Sequence, residues 1–586
     1  MTKIYDDPAN FADDQLTGFL DLYSDRLRGV PGGVVTHRAE DSDPQVAVVI
    51  GGGSGHYPAF CGTVGPGLAT GAVVGNIFTS PSAAQAYSVG RNAEQGRGVI
   101  FSFGNYAGDN MNFGVAADRL RASGIDARIV VVTDDVASAT EETERRGIAG
   151  DFTVFKVMGA AAAEGHDVNE VERLGNAANA ATRTLGVAFS GCTMPGSRKP
   201  LFTVPDRHLG LGLGIHGEPG ISDIPMMSAT ELAELLVTRV LEAAPTTGTA
   251  SASKRVGAIL NGLGTTKYEE LFLLWGHVSR LLRDAGFDLV DPEVGELVTS
   301  LDMGGCSLTL IWLDEELERL WRADTYTPAY RKQRGLIDSL RGPGADELAD
   351  TRAVVTAPAA TPAAQAFAQI VRAALDVMRR TLHDNEIELG RIDAVAGDGD
   401  HGRGMVKGIN AAVERVAELP GDAGGGWLLT QAGQAWAERA GGTSGVLWGA
   451  ALESFGHTVG DDGADYDAVL ITAGVRAFLD AITTLGGAKA GDKTLLDALI
   501  PFVESLESAT RSGTALSQAW PSAAEIATRS ALETANLRPQ VGRARPLAEK
   551  SVGTPDAGAT SMALLVTALG QSLTSREIGR EREGIR

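Results

Sequence analysis

Along roughly the first 330 residues, short apolar runs rich in β-branched side chains alternate with longer stretches whose apolar positions recur every three to four residues. "QVAVVI" (45–50), "GVIFSF" (98–103), "RIVVVT" (128–133) and "VGAIL" (256–260) read as strands buried on both faces. "NFGVAADRLRASG" and "TKYEELFLLWGHVSRLLRDAG" carry the helical period between them. The alternation predicts an α/β domain over 1–340. In "RGPGADELADTRAVVTAPAATPAA" (341–364), Pro, Ala, Thr and charge replace any sustained period, which places a linker at 341–361. Beyond it, long amphipathic segments such as "AQAFAQIVRAALDVMRRTL", "DYDAVLITAGVRAFLDAITTL" and "KTLLDALIPFVESLESAT" follow one another. Residues 362–586 are therefore expected to form an all-α helical barrel or bundle of about seven to nine helices.

Composition narrows the function. The 74 acidic against 51 basic residues give a formal charge of −23, which repels nucleic acid and anionic membranes at long range. No nucleic-acid or membrane partner is expected, and an anionic substrate would need a metal, an Arg or backbone N–H groups to meet its charge. The three cysteines, Cys61, Cys192 and Cys306, lie far apart without metal-ligand spacing, which fits a reducing compartment. The start, "MTKIYDDPANFADD", lacks the order of a secretory signal. From Pro44 to Gly90 there is no charged residue, but Gly, Pro, Ser, Thr and Asn interrupt every apolar run. A cytoplasmic location is expected.

"VVIGGGSGHYPAF" (48–60) sets a strand against a glycine cluster. A dinucleotide fingerprint would need Gly at position 56, where His56 stands, and an acid some 20 residues on, where there is none. A P-loop would need Lys and Ser or Thr after the last glycine. What remains is a glycine turn at the carboxyl end of a sheet, with His56 a ligand contact or general base, or a histidine satisfying backbone groups. "FSFGNYAGDNMNFG" (101–114) adds Asn105, Tyr106 and Asp109, and "GLGLGIHGEPG" (210–220) adds His216 and Glu218, which together place two histidines and an acid on strand-end loops.

"GGGSGH", "NYAGD" and "GIHGEPG", in this order and followed by a helical half, resemble the dihydroxyacetone kinases over nearly the whole chain. The resemblance implies a hemiaminal between His216 and a ketone carbon, a bond that selects ketones over polyols. It implies that His56 and Asp109 bond the substrate hydroxyls, with Asp109 accepting the proton of the attacking hydroxyl, and that Gly53, Ser54 and Gly55 complete the contacts. Tyr57 and Gly104 depart from it, standing where Glu and Lys are usual. Loss of an ammonium leaves room, so a ketose larger than dihydroxyacetone is expected, with erythrulose first and dihydroxyacetone next.

In the helical half, "RIDAVAGDGDHGRGM" (391–405) puts Asp393, Asp398 and Asp400 within eight positions, where they repel unless a cation lies between them. A calcium EF-hand fails, because counting from Asp398 its fifth position is Gly402 and its twelfth Ile409. Magnesium shared with phosphates fits better, and the resemblance implies two Mg2+ ions bridging the phosphates of ATP. It further implies nucleotide contacts from His401, Gly402, Arg403 and Gly404, from Thr443 and Ser444 in "GGTSGVLWG", from Gly486 and Leu495, and from Arg543 and the turn Asp556, Ala557 and Gly558. "GGAKAGDKTLLD" nearly spells a P-loop, but Asp492 intrudes and a helix precedes it. The expected protein is an ATP-dependent ketose kinase acting as a homodimer. The alternative is a ketose-sensing binding protein without kinase activity of its own.

Overall fold

The computed structural model describes residues 3–37, 43–218, 220–246, 248, 252–340, 356–440, 442–541, 545 and 548–584. The chain divides into two compact units, Met1–Leu348 and Ala349–Arg586. Residues 341–355 of the expected linker lie outside the described residues.

The first unit carries strands β1 (Leu27–Val30), β2 (Gly33–Thr36), β3 (Ala47–Ser54), β4 (Gly71–Ile77), β5 (Val99–Gly104) and β6 (Ala127–Val132) in one sheet of order β1-β2-β4-β3-β5-β6. Its helices begin with α1 (Phe11–Leu22), α2 (Ala83–Ala93), α3 (Ala107–Ala122), α4 (Asp151–Ala163) and α5 (Val168–Ala180). The four strands β4, β3, β5 and β6 are parallel, and β1 and β2 add an antiparallel hairpin at the edge. Alternation along β5 explains its apolar run: Ile100 packs in one core with α4, while Val99, Phe101 and Phe103 pack in another with α2 and α3.

A second sheet, mostly antiparallel, follows: β7 (Thr182–Ser190), β8 (His208–Leu211), β9 (Ser222–Pro225), β10 (Arg255–Gly262), β11 (Asp288–Leu289), β12 (Glu293–Gly295) and β13 (Gly304–Trp312), in order β11-β10-β13-β7-β8-β9 with β12 also on β10. Helices α6 (Ala229–Glu242), α7 (Tyr268–Asp284), α8 (Glu315–Arg322) and α9 (Arg334–Leu340) and a small ribbon of β14 (Thr325–Tyr326) and β15 (Arg331–Lys332) complete the unit. The α/β reading of the sequence holds, and the unit has two parts, each with its own sheet.

The second unit consists of α10 (Pro362–Asp393), α11 (His401–Ala417), α12 (Gly425–Ala440), α13 (Gly442–Val459), α14 (Ala468–Gly486), α15 (Leu496–Arg511), α16 (Leu516–Glu533), the single turn α17 (Ala548–Ser551) and α18 (Ala557–Gly584). Each long helix packs on the next and α18 returns to α10, which closes the ring around an apolar cavity of about 240 Å³. Helix α14 is long and apolar enough to cross a membrane by length and composition alone; Ile471, Val475, Phe478, Leu479 and Ile482 on it belong to the helical core.

Candidate active site

The glycines of "GGGSGH" serve close approach before they serve a turn. Gly52 and Gly53 lie within β3, where a Cβ would stand 2.7 Å from the Phe60 ring and 2.6 Å from the Thr79 backbone nitrogen. Only at Gly55, with φ +104°, does the chain leave the strand and set His56 behind it. Ser54 Oγ donates to the Gly75 carbonyl at 2.6 Å, which holds the strand end. His56 is buried, stacked on Phe78 at 5.1 Å, and its Nδ1 donates to the Thr299 carbonyl at 2.7 Å. Phe78 is held at φ +53°, a conformation disfavoured for a bulky residue, and its ring lies edge-on to His216 as well.

His216 stands on the loop after β8, where Glu218 cradles it: Nδ1 donates to Glu218 Oε1 at 2.7 Å, and the backbone N–H donates to Oε2 at 2.9 Å. The partners assign the tautomers. Both Nδ1 atoms carry their proton toward an acceptor, so both Nε2 atoms face each other with lone pairs, 3.0 Å apart. That separation is a hydrogen bond only when one proton lies between the rings. Burial, reinforced by the His216 charge, pushes His56 down to about 3. Burial works to raise Glu218, but the His216 bonds and ring charge outweigh it and hold the carboxyl at about 2. Glu218 is therefore held ionised beside His216 Nδ1, and His56 is disfavoured as a resting place for a proton.

Asp109 corrects one expectation: it lies in the first turn of α3 instead of on a strand-end loop, because the helix begins at Ala107, directly behind β5. It is buried, and burial raises its pKa against the Ser80 hydroxyl and the His216 charge, which lower it. Tyr106, the residue before α3, packs its ring edge-on to His216 at 4.9 Å. A Cβ at Gly104 would come 3.2 Å from that ring, so Gly104 adjoins the His216 surroundings. Tyr57 does not share this placement. Its ring packs against Phe19 and over Gly62, and with Gly53, Ser54 and Gly55 it lines a cavity of about 300 Å³. Of the two departures that suggested a larger ketose, Gly104 adjoins this histidine site.

In the helical unit, Asp393 ends α10, Asp398 stands in the short connection, and Asp400 is the residue directly before α11. One ligand oxygen from each lies within 4.8 Å of the others. The connection is shaped for this: Gly399 adopts φ +76° and donates its N–H to Asp393 Oδ2 at 2.8 Å, and a Cβ at Gly397 would strike Asp393 Oδ1 at 2.5 Å. An all-oxygen carboxylate set fits a hard divalent cation such as magnesium, which when bound supplies positive charge to phosphate oxygens.

Other expected nucleotide residues gather around the same helix ends. His401, whose pKa burial lowers, hydrogen-bonds Ser561 Oγ of α18 at 3.0 Å, and a Cβ at Gly402 would lie 2.1 Å from the Glu386 carbonyl of α10. Asp556 caps α18, accepting from Ala559 N–H at 2.7 Å, so Ala557 and Gly558 open a helix instead of forming a free turn. A Cβ at Gly558 would meet Leu495 Cβ at 3.3 Å, and burial raises Asp556 to about 6, with Asp393 among the charges that act on it. Thr443 and Ser444 occupy the first turn of α13, and a Cβ at Gly486 would meet Leu447 of α13 at 3.3 Å. Arg403 and Gly404 continue the first turn of α11, and Arg543 lies outside the described residues. The near-P-loop is tied down within its unit: Asp497 accepts from Thr494 N–H at 2.8 Å, and Lys493 Nζ donates to the Ser551 carbonyl at 2.7 Å.

The Dak1 domain family matches residues 17–329, and the DAK2 domain family matches residues 395–571. The chain belongs to the dihydroxyacetone kinase family. Among its relatives within that family, a D-erythrulose kinase of Mycolicibacterium smegmatis is 58% identical over 98% of this chain and 99% of its own length. An L-erythrulose kinase of Pectobacterium atrosepticum is 50% identical over 98% of this chain and 97% of its own length. The dihydroxyacetone kinase from C. freundii, in complex with AMP-PNP and Mg2+, matches with a TM-score of 0.57 at 28% identity, covering 97% of this chain and 99% of that one.

Sequence reasoning missed Phe78 and Thr299, whose chain positions carry no motif, and gave Glu218 no role. Its spacing two residues from His216 was the available signal.

Proposed function

We propose that this dihydroxyacetone kinase family member phosphorylates a terminal hydroxyl of a short ketose from MgATP, with erythrulose the first substrate and dihydroxyacetone the next. The observation that carries the chemistry is the His56–His216 pair, in which each Nδ1 faces an acceptor and the two Nε2 atoms lie 3.0 Å apart, the separation of a hydrogen bond with one proton between them. The resemblance to erythrulose kinases over almost the full chain supports the substrate, and the D-enantiomer is tested first because the D-erythrulose kinase is 58% identical.

In this reading the shared proton moves to His56, and His216 Nε2 attacks the ketone carbon. The carbonyl π pair moves to oxygen, and His56 returns the proton to that oxygen. The ring is left cationic against Glu218, so charge balances before and after. Asp109, with its raised proton affinity, accepts the proton of the hydroxyl that attacks the γ-phosphorus. Residues 1–340 would hold the ketose and 362–586 the nucleotide, joined by 341–361. Asp393, Asp398 and Asp400 would hold two magnesium ions, and Thr443, Ser444, Gly486, Leu495 and the start of α18 would flank the nucleotide. A cytoplasmic homodimer completes the reading.

The test is a panel of D-erythrulose, L-erythrulose, dihydroxyacetone and glycerol with purified chain and MgATP, the phosphate position being read by NMR. Erythrulose should give the highest kcat/KM and glycerol none. A clear preference for dihydroxyacetone would overturn the substrate, and binding of ketose without phosphate transfer would favour a sensor.

A further inference from the structure

Behind Glu218 lies a charged pair that the proposed reaction does not use. Arg146, on the segment between β6 and α4, pairs with Asp135 through Nη2 at 2.8 Å and Nε at 3.0 Å, and its Nη2 also donates to the Gly212 carbonyl at 3.1 Å. Asp135 is almost wholly buried, with 1% of its side chain exposed, and the Arg146 side chain is 15% exposed. Asp135 Oδ1 additionally accepts from Ala137 N–H at 3.0 Å. The guanidinium is thus fixed from two sides.

It is fixed facing the histidine site. A Cβ at Gly214 would stand 2.1 Å from Glu218 Oε2 and 2.8 Å from Arg146 Nη1, so carboxylate and guanidinium face one another across that glycine. Any larger residue at position 214 would part them. The order in space is Asp135, Arg146, Glu218, His216, His56 and the Thr299 carbonyl.

Glu218 is needed to hold the His216 ring and backbone through its two hydrogen bonds, yet its charge left unopposed has a cost for ketone capture. A carboxylate at Nδ1 favours the imidazolium, and an imidazolium has no lone pair at Nε2 with which to attack. A fixed cation behind the carboxylate weakens that pull.

We propose that Arg146 is a positioning residue for ketone capture: locked by Asp135 and the Gly212 carbonyl, its cation offsets Glu218 so that the proton between the two rings can pass to His56. This rests on the ketose-kinase reading of the same site. Among the described residues, the charged and titratable groups around His216 are Glu218 on its own loop, His56 behind β3, and Tyr106 and Asp109 at the start of α3, with Arg146 and Asp135 reaching it through Glu218.

The two members of the pair predict shifts of opposite sign. Arg146→Gln removes the offsetting cation, so the pH at which the histidine pair releases its proton should rise by about 0.5–1 unit, and kcat/KM for erythrulose should fall roughly tenfold with KM for MgATP little changed. Asp135→Asn frees Arg146 to act more strongly, so the same titration should move down. Arg146→Lys should restore most of the shift. The readout is the ring-nitrogen NMR titration of the full chain labelled at histidine, set beside the pH profile of kcat/KM. Loss of structure alone does not produce opposite signs, and if Arg146→Gln does not fold, Asp135→Asn and Arg146→Lys decide. Shifts of the same sign in both variants, or titrations within 0.2 unit of the unaltered chain, would overturn the proposal. Absence of ketose phosphorylation by the unaltered chain would instead refute the kinase reading, while the titration would still decide whether Arg146 sets the proton affinity of the pair.

Discussion

Replacing Glu218 by Gln isolates what the carboxylate does for His216. The carboxylate accepts twice, from Nδ1 at 2.7 Å and from the His216 backbone N–H at 2.9 Å. An amide of the same shape offers one acceptor and one donor, so one of the two donors must face an NH2 group. The substitution weakens a charge-assisted bond worth about 1.5–3 kcal/mol and leaves a donor unpaired at about 1–3 kcal/mol. With 27% of the Glu218 side chain exposed, water relieves part of that cost. A net loss of about 2–3 kcal/mol in capture corresponds to roughly a 30- to 150-fold fall in kcat/KM for the ketose. A coupled assay of ADP release measures it, with KM for MgATP as the internal control, since the nucleotide is assigned to the other unit. A folded Glu218→Gln chain with kcat/KM within threefold of the unaltered one would refute the tautomer argument.

Three further outcomes follow from the geometry. Asp398→Asn should raise the magnesium concentration needed for half-maximal activity at least tenfold, because it removes one of three carboxylates whose oxygens lie within 4.8 Å of one another; an unchanged magnesium requirement would remove Asp398 from the site. Gly399→Ala forces a side chain into φ +76° and should cost the helical unit about 1–2 kcal/mol, read from urea midpoints. Acid should destabilise the first unit: His56 held at about 3 instead of 6.5, and Glu218 at about 2 instead of 4.5, each favour the folded state above the unfolded value. Stability should then fall from pH 6.5 downward at up to about 1.4 kcal/mol per pH unit from His56, and more steeply below 4.5 as Glu218 adds its share. His56→Gln should flatten the upper part of that slope, and an identical slope in the variant would contradict the assignment.

The two-unit architecture was legible in the sequence because its periods are strong. "GVIFSF" is apolar on both faces since β5 is covered on both, and the long segments after residue 362 keep one apolar stripe facing a common interior. That His56, Asp109 and His216 come near one another was legible through glycine-dense motifs that follow strands. The start of α3 was not, because "NYAGD" reads as a turn while β5 hands directly to a helix. Thr299 and Phe78 were invisible for another reason. One acts through its backbone carbonyl and the other through ring packing at a positive φ, and neither leaves a mark on residue type. Tyr57 shows the converse: an unusual residue beside His56 in sequence turns toward Phe19, while Gly104, distant in sequence, adjoins the ring that packs on His216.

The most direct test of the account follows the γ-phosphoryl group from labelled MgATP with the purified chain, D-erythrulose and magnesium, alongside the His216→Ala chain. Label should appear in erythrulose phosphate with the unaltered chain and fall to background with His216→Ala, with glycerol accepting none. Full transfer by His216→Ala, or equal labelling of glycerol, would contradict covalent capture of the ketone on His216.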